Sequence, residues 1–310
     1  MNSAVNPDVN PIRAVSYQEA TARERLQSLF DAGSFEEFLP PYKRVVSPHL
    51  GQLNAPVAFD DGVAVGRALL GGVPVYTGAQ EGGFMGGAVG EVHGAKLVGL
   101  LRRAVADKVA AVVLLVESGG VRLHEANAGL IAVSEVMRAL LDARAAGVPV
   151  IVLVGGSNGA FGGMGIVSRC ANVVVMSEEG RLAMSGPEVI ETANGVEEFD
   201  SRDRALVWRS TGGKHRYLMG DCQRIVADDI AAFRAAAQQA VAEYSTQPAE
   251  LTLEALEAEQ HMLTGRIARF GALPDPVDIW SAMQIPDAAN VPMLEVDSFI
   301  AVAAARRMGA

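Results

Sequence analysis

The chain has 310 residues, half of them hydrophobic and a fifth charged, which suffices to bury a large core and excludes disorder for most of its length. Twenty-six Lys and Arg stand against 36 Asp and Glu, and the net charge of -10 provides no positive field to gather phosphate backbones, which excludes a general nucleic-acid binder. Only Cys170 and Cys222 bear thiols, far apart and without zinc-ligand spacing. The polar stretch 1–13 lacks a signal-peptide core, and no apolar run reaches the ~18 residues of a membrane span, so a cytoplasmic location, no metal and no membrane are expected.

Residues 17–32 read as a helical lead-in, an arm that ends before the Pro40-Pro41 break. Residues 63–65 and 73–76 flank Gly71-Gly72, a pair that closes an antiparallel hairpin. After Gly82-Gly83-Phe84-Met85-Gly86-Gly87, Val89, Val92, Leu97, Val98, Leu101 and Val105 recur at helical intervals as far as Asp107. The run 109–116 is apolar and rich in valine, as a strand covered on both faces must be, and stops at Glu117-Ser118-Gly119-Gly120. A helix over 125–146 follows, with Leu130, Val133, Met137, Leu140 and Leu141 inward and Gly147 as its stop.

The pattern repeats as a strand over 148–154, a glycine-dense turn over 155–165, a short helix to Cys170 and a strand over 172–177. Helices are expected over 187–193 and 228–244, then in pieces separated by Pro274, Pro276, Pro286 and Pro292. Alternating strand and helix make an α/β fold, organised as an arm (1–58), a core (59–246) and a C-terminal helical region (247–310) packed on the core or on a partner.

Thirty-three glycines exceed the usual ~7 per cent, and many sit in pairs beside apolar runs. Two strands in succession end near a glycine pair, Gly119-Gly120 and Gly162-Gly163, the second opening a helix whose first amides are unpaired and partly positive. Two N–H groups converging on one point form an oxyanion hole, useful where a carbonyl oxygen gains charge. Glycine-rich turns also follow strands for purely conformational reasons, so spacing alone leaves both readings open.

Three segments in order carry a resemblance: Phe84-Met85-Gly86-Gly87-Ala88-Val89-Gly90-Glu91-Val92, Glu117-Ser118-Gly119-Gly120-Val121-Arg122, and Ala183-Met184-Ser185-Gly186-Pro187-Glu188-Val189-Ile190-Glu191. Together they resemble the carboxyltransferase branch of the crotonase-like superfamily, from about residue 60 to 230. Within it, residues 118–130 and 215–222 are most similar to the beta subunits of biotin-independent malonate decarboxylases. The resemblance implies a spiral of β-β-α units and a partner, the gamma subunit, of related fold. It also implies an acyl carrier protein subunit bearing a malonyl thioester on a phosphopantetheine-like arm, and an acyl carrier transferase subunit. Acetyl thioester and carbon dioxide are then the products, and Gly119, Gly120, Gly162 and Gly163 match the pairs whose amides hold the thioester oxygen.

Two departures from relatives stand out. The four-cysteine zinc ribbon of the acetyl-CoA carboxyltransferase beta subunit is absent, and Glu188 replaces an arginine common there. None of the four lysines, Lys43, Lys96, Lys108 and Lys214, precedes a methionine, so the chain does not carry biotin and binds no cofactor of its own.

Decarboxylation leaves an enolate, which glycine amides favour over the substrate and which must then gain a proton. Phe84, Met85, Phe161 and Met164, beside Gly86 and Gly87, are candidates for the wall around the departing carboxylate, and Ser157 and Asn158 for orienting the thioester. His124 is the nearest candidate acid, with His93, Tyr76 and Tyr217 behind it. Arg202, Arg204, Arg209, Lys214 and Arg216 form a basic stretch in an acidic chain and are expected to dock the acidic carrier. Three alternatives stay open: a beta-type carboxyltransferase using biotin, a serine hydrolase with Ser157 in Gly155-Gly156-Ser157-Asn158-Gly159 followed by Asp228 or Asp229 and His261, and a non-catalytic scaffold.

Overall fold

A computed structural model of the protein describes residues 15–246 and 252–309. One seven-stranded sheet organises them, its strands neighbouring in chain order: β1 (Glu36–Glu37), β2 (Val63–Leu70), β3 (Val73–Gln80), β4 (Val112–Val116), β5 (Val150–Val154), β6 (Val173–Ser177) and β7 (Arg224–Val226). Strands β1 to β3 pair antiparallel and β3 to β7 parallel. The hairpin between β2 and β3 turns at Gly71 and Gly72, with φ of +61° and +80°, and both amides donate to the Asp31 carboxylate of the arm.

Strands β4, β5 and β6 are buried at every position and apolar at all but Ser177, because both of their faces are covered. Val112, Leu114, Val116, Val150, Val152, Val154, Val174 and Met176 point into one core. That core takes in helices α2 (Glu91–Asp107), α3 (Asn127–Ala145), α4 (Gly162–Arg169), α7 (Gly213–Leu218), α10 (Pro276–Ala282) and α11 (Val296–Ala303). Val113, Leu115, Ile151, Leu153, Val173 and Val175 point into the other, against α1 (Ala22–Leu29) and α8 (Ile230–Thr246). The arm and the C-terminal helices thus share the cores of the middle of the chain. Helix α1 is shorter than the expected lead-in: Thr21 closes a capping box with Glu24, and the residues before it run outside the helix.

Strand ends give way to a second, smaller layer of parallel bridges, Val89 with Val121, Ser118 with Ala160, and Ala160 with Leu182. Each unit thus runs from strand through glycine turn to helix and steps along the sheet. Sequence periodicity misses β1 and β7, which have two and three residues, and α6 (Arg204–Thr211) with α7, which meet at Gly212. Helix α5 (Pro187–Asn194) lies where expected. Among the described residues no helix is long and apolar enough to cross a membrane.

Two histidines are sealed in the fold. His93 donates from Nδ1 to the Asp61 carbonyl and accepts from the Gln80 amide at Nε2, while His215 accepts from the Trp280 indole. Burial, aided by the charges of Arg122 and Arg216 respectively, pushes both down to about 3. They stay neutral in the folded chain and gain a proton in the unfolded chain below the ordinary value of about 6.5. Their contribution to stability is full above that value and is lost as pH falls toward 3, by about 1.4 kcal/mol per pH unit for each ring. His93→Gln should flatten that acid limb in urea midpoints measured from about pH 7 to pH 4.

Candidate active site

Three turns at the carboxyl ends of β3, β4 and β5 meet at one edge of the sheet. The first, at residues 84–87, runs through three consecutive left-handed residues, Met85, Gly86 and Gly87, with φ of +51°, +64° and +68°. Gly87 must be glycine, since a Cβ there would strike the Glu117 carbonyl. The second, Glu117 to Arg122, joins the first where the Gly119 N–H donates to the Gly86 carbonyl at 2.8 Å. The third is tied to the second by Ser118 N–H to the Gly159 carbonyl at 2.7 Å and Phe161 N–H to the Ser118 carbonyl at 2.8 Å. Gly120 and Gly162 abut so closely that a Cβ on Gly162, at φ +55°, would lie 3.0 Å from the Gly120 Cα.

The two glycine pairs therefore converge, but their four amides are not equivalent. Gly119 donates to Gly86, Gly162 donates to the Met184 carbonyl at 2.9 Å, and Gly120 makes a 3.2 Å contact with the Ser118 hydroxyl. Gly163 N–H and its successor Met164 N–H have no acceptor among the described residues, because they stand in the first turn of α4. The expected quartet of glycine donors thus reduces to Gly163 as the open amide, with Gly120 weakly held beside it. The adjoining Met164 amide follows from helix geometry alone and escapes a search for glycines. Phe161 and Met164 are buried at this terminus, while Phe84, Met85 and Gly86 are half-buried in the first turn.

Glu117 gathers the site, a role its sequence does not announce. It is 4% exposed, and its carboxylate accepts the backbone N–H of Asn158 at 3.2 Å, the Asn158 side-chain amide at 3.0 Å and the Ser157 hydroxyl at 3.2 Å. Arg25 of α1 completes the set with a buried ion pair. Ser157 and Asn158 thus brace the turn through Glu117. Ser157 meets no histidine, Asp228 is taken by Ser16 and the Gln18 amide, and exposed His261 bonds the Glu257 carbonyl, so the serine-hydrolase triad is not assembled.

The remaining expected residues spread widely. His124 stands exposed on the single turn Leu123–Glu125, with no hydrogen-bond partner among the described residues. His93 is sealed in the core, Tyr76 donates to Asp107, and Tyr217 packs on Phe299. The basic stretch does not act as one surface: Arg209 pairs with Asp275 at 2.9 Å, Lys214 with Glu178 at 2.9 Å and Arg216 with Asp221 at 3.0 Å, whereas Arg202 and Arg204 are exposed. Neighbouring acids on α10 and on the loops after β6 and α7 capture the three cations, which linear sequence cannot foresee.

Residues 16–250 match the carboxyl transferase domain model. The chain belongs to the carboxyl transferase domain family. It is 40% identical over 306 residues to the malonyl-S-ACP:biotin-protein carboxyltransferase MADC of Malonomonas rubra, which spans 93% of this chain and 95% of that protein. Among solved structures, a chain of the Pseudomonas malonate decarboxylase hetero-tetramer in complex with malonate superposes with a TM-score of 0.77 at 38% identity, covering 87% of this chain and 98% of that one. A chain of the Pseudomonas MdcD-MdcE hetero-dimer superposes with a TM-score of 0.60, also at 38% identity, over 74% and 88%. The crotonase-like α/β architecture expected from the three motifs is the one the chain adopts.

Gly120 is the position at which to probe the glycine turns, since a side chain at φ +125° is strained and would press on Gly162. Gly120→Val should abolish turnover of the assembled enzyme while leaving co-purification with its partner intact; unimpaired turnover would assign the chemistry to another chain.

Proposed function

We propose that this chain is a subunit of a malonate decarboxylase and acts in the cytoplasm on a malonyl thioester carried by an acyl carrier protein. Relatives named for malonyl-carrier and malonate chemistry, which cover 74% to 93% of the chain, support this reading. The observation that carries the mechanism is the Gly163 amide at the start of α4, without an acceptor among the described residues and adjoining Gly162, which packs against the Gly119-Gly120 turn.

In the reaction, the bond between C2 and the carboxylate carbon breaks heterolytically. Carbon dioxide leaves, and the electron pair moves onto C2 and the thioester oxygen. The Gly163 N–H, with Met164 or Gly120 beside it, donates to that oxygen as it becomes negative, an interaction stronger in the transition state than in the substrate. Such a donor is typically worth roughly 3 to 4 kcal/mol. A proton then enters at C2 to give the acetyl thioester. His124, exposed near the Gly120 turn, is this chain's candidate donor.

The phosphopantetheine-like arm belongs to the carrier, and the chain binds no cofactor of its own. Its partner is a gamma subunit of related fold, in keeping with the heteromeric Pseudomonas assemblies. Leu123, Leu130 and Ile131, 85%, 57% and 62% exposed beside the second turn, form an apolar strip suited to that contact. The carrier and carrier-transferase subunits complete the complex. Both thiols are free and Cys222 is pushed up to about 12 by burial, in keeping with a reducing compartment.

A second reading is favoured by the Malonomonas relative, whose name places the carboxyl group on a biotin protein. Decarboxylation and transfer pass through the same enolate and differ in where the carboxyl group goes. The purified complex should release labelled carbon dioxide from malonyl carrier without biotin and in the presence of avidin; strict dependence on a biotin protein would establish the transferase instead.

Docking of the carrier falls to Arg202 and Arg204, the two exposed cations of the basic stretch. Reversing both to Glu should raise the KM for carrier-bound substrate several-fold at low salt, with kcat preserved and the effect shrinking as ionic strength rises. An unchanged KM would place docking elsewhere.

A further inference from the structure

Arg181 is a cation of unusual standing beside the active turns. It lies after β6, where its backbone carbonyl accepts the Ala160 N–H, and its Cβ stands 3.1 Å from where a Cβ on Gly159 would lie. One terminal nitrogen donates to the Ser157 carbonyl. The guanidinium carbon sits 5.6 Å from the Phe161 ring centroid and 4.7 Å from that of Trp208, so two aromatic faces hold the group. Its Nε is buried without an acceptor among the described residues.

Five other buried or part-buried arginines are neutralised. Arg25, Arg122, Arg209, Arg216 and Arg266 each hold a carboxylate in an ion pair. Arg181 has no such pair among the described residues. The acids whose fields reach it are Glu188, exposed on the first turn of α5, and Glu117, already engaged by Arg25, Ser157 and Asn158. Desolvation lowers its pKa from the usual arginine value, the mark of a charge held in place without a counter-ion. A planar guanidinium beside the turn that carries Ser157 and Phe161, with a terminal nitrogen that has no acceptor among the described residues, is shaped to receive a carboxylate.

We propose that Arg181 distinguishes a malonyl from an acetyl thioester by receiving the substrate's free carboxylate at the turn that leads into Gly163, an assignment whose substrate class rests on the decarboxylase reading above. The aromatic faces and the Ser157 carbonyl fix the guanidinium's plane, so the contact orients the carboxylate while the amide of Gly163 takes the thioester oxygen. Because the contact is made in the ground state and lost with carbon dioxide, it tightens binding and adds nothing to transition-state stabilisation, so its removal raises KM without lowering kcat.

The test uses the purified heteromeric complex and two probes. Sulfoacetyl-pantetheine keeps an anion where the carboxylate lies and cannot lose carbon dioxide; acetyl-pantetheine lacks the anion. Calorimetry should show wild-type complex binding the sulfonate probe more tightly. Arg181→Gln should weaken that probe about 10- to 100-fold with acetyl-pantetheine unchanged, and Arg181→Lys should keep part of the preference. The matching kinetic result is a raised KM for malonyl carrier without a fall in kcat.

Equal weakening of both probes would assign Arg181 to the arm, and no weakening of either would make it structural; each overturns the proposal. Wild-type complex that shows no preference for the sulfonate overturns it too, whether or not the variant folds. Should the preference and its loss in Arg181→Gln both hold while no carbon dioxide is released from malonyl carrier, the decarboxylase reading fails and the anion site stands.

Discussion

A single buried carboxylate holds the working edge of this protein together. Glu117 lies at the end of β4, out of water, and such a charge persists only when donors surround it. Those donors come from separate parts of the chain: Arg25 of the arm, and Ser157 with Asn158 of the turn after β5. Glycines at 82 and 156 leave the room it occupies, since a Cβ at either would strike the carboxylate. Arm, strand end and the turn after β5 are thereby placed relative to one another by one electrostatic requirement.

A chain of buried polar contacts extends from the same point. The backbone N–H of Glu117 reaches the Gln80 side chain, Gln80 donates to His93, and His93 bonds Asp61, which shares Arg122 with Glu125. Desolvation, helped by the neighbouring Glu125 charge, raises the Asp61 carboxyl from its usual value despite Arg122 beside it.

At the front of the turns the logic reverses. Backbone donors there are mostly consumed within the chain, and the few left open stand at the first turn of α4, where helix geometry denies them partners. In the proposed reaction an enolate oxygen would supply the missing acceptor as charge develops, and donors held in place beforehand would need no large reorganisation. Arg181 has a related character, a guanidinium held between two aromatic faces and the Ser157 carbonyl whose Nε has no acceptor among the described residues.

Much of this was legible in the amino-acid order. Valine runs covered on both faces, glycine pairs after strands and three ordered motifs specify an α/β spiral with turns at 119–120 and 162–163, because periodicity and backbone freedom are local properties. Which amide remains free was not legible: Gly119 meets Gly86 and Gly162 meets Met184, contacts made between segments distant in the chain. The same holds for the basic stretch, whose cations at 209, 214 and 216 find acids at 275, 178 and 221, and for Glu117 and Arg181, whose roles depend on what surrounds them. Local pattern determines elements, whereas the state of a charge or an N–H depends on its neighbours in space, and only the folded chain decides who those are.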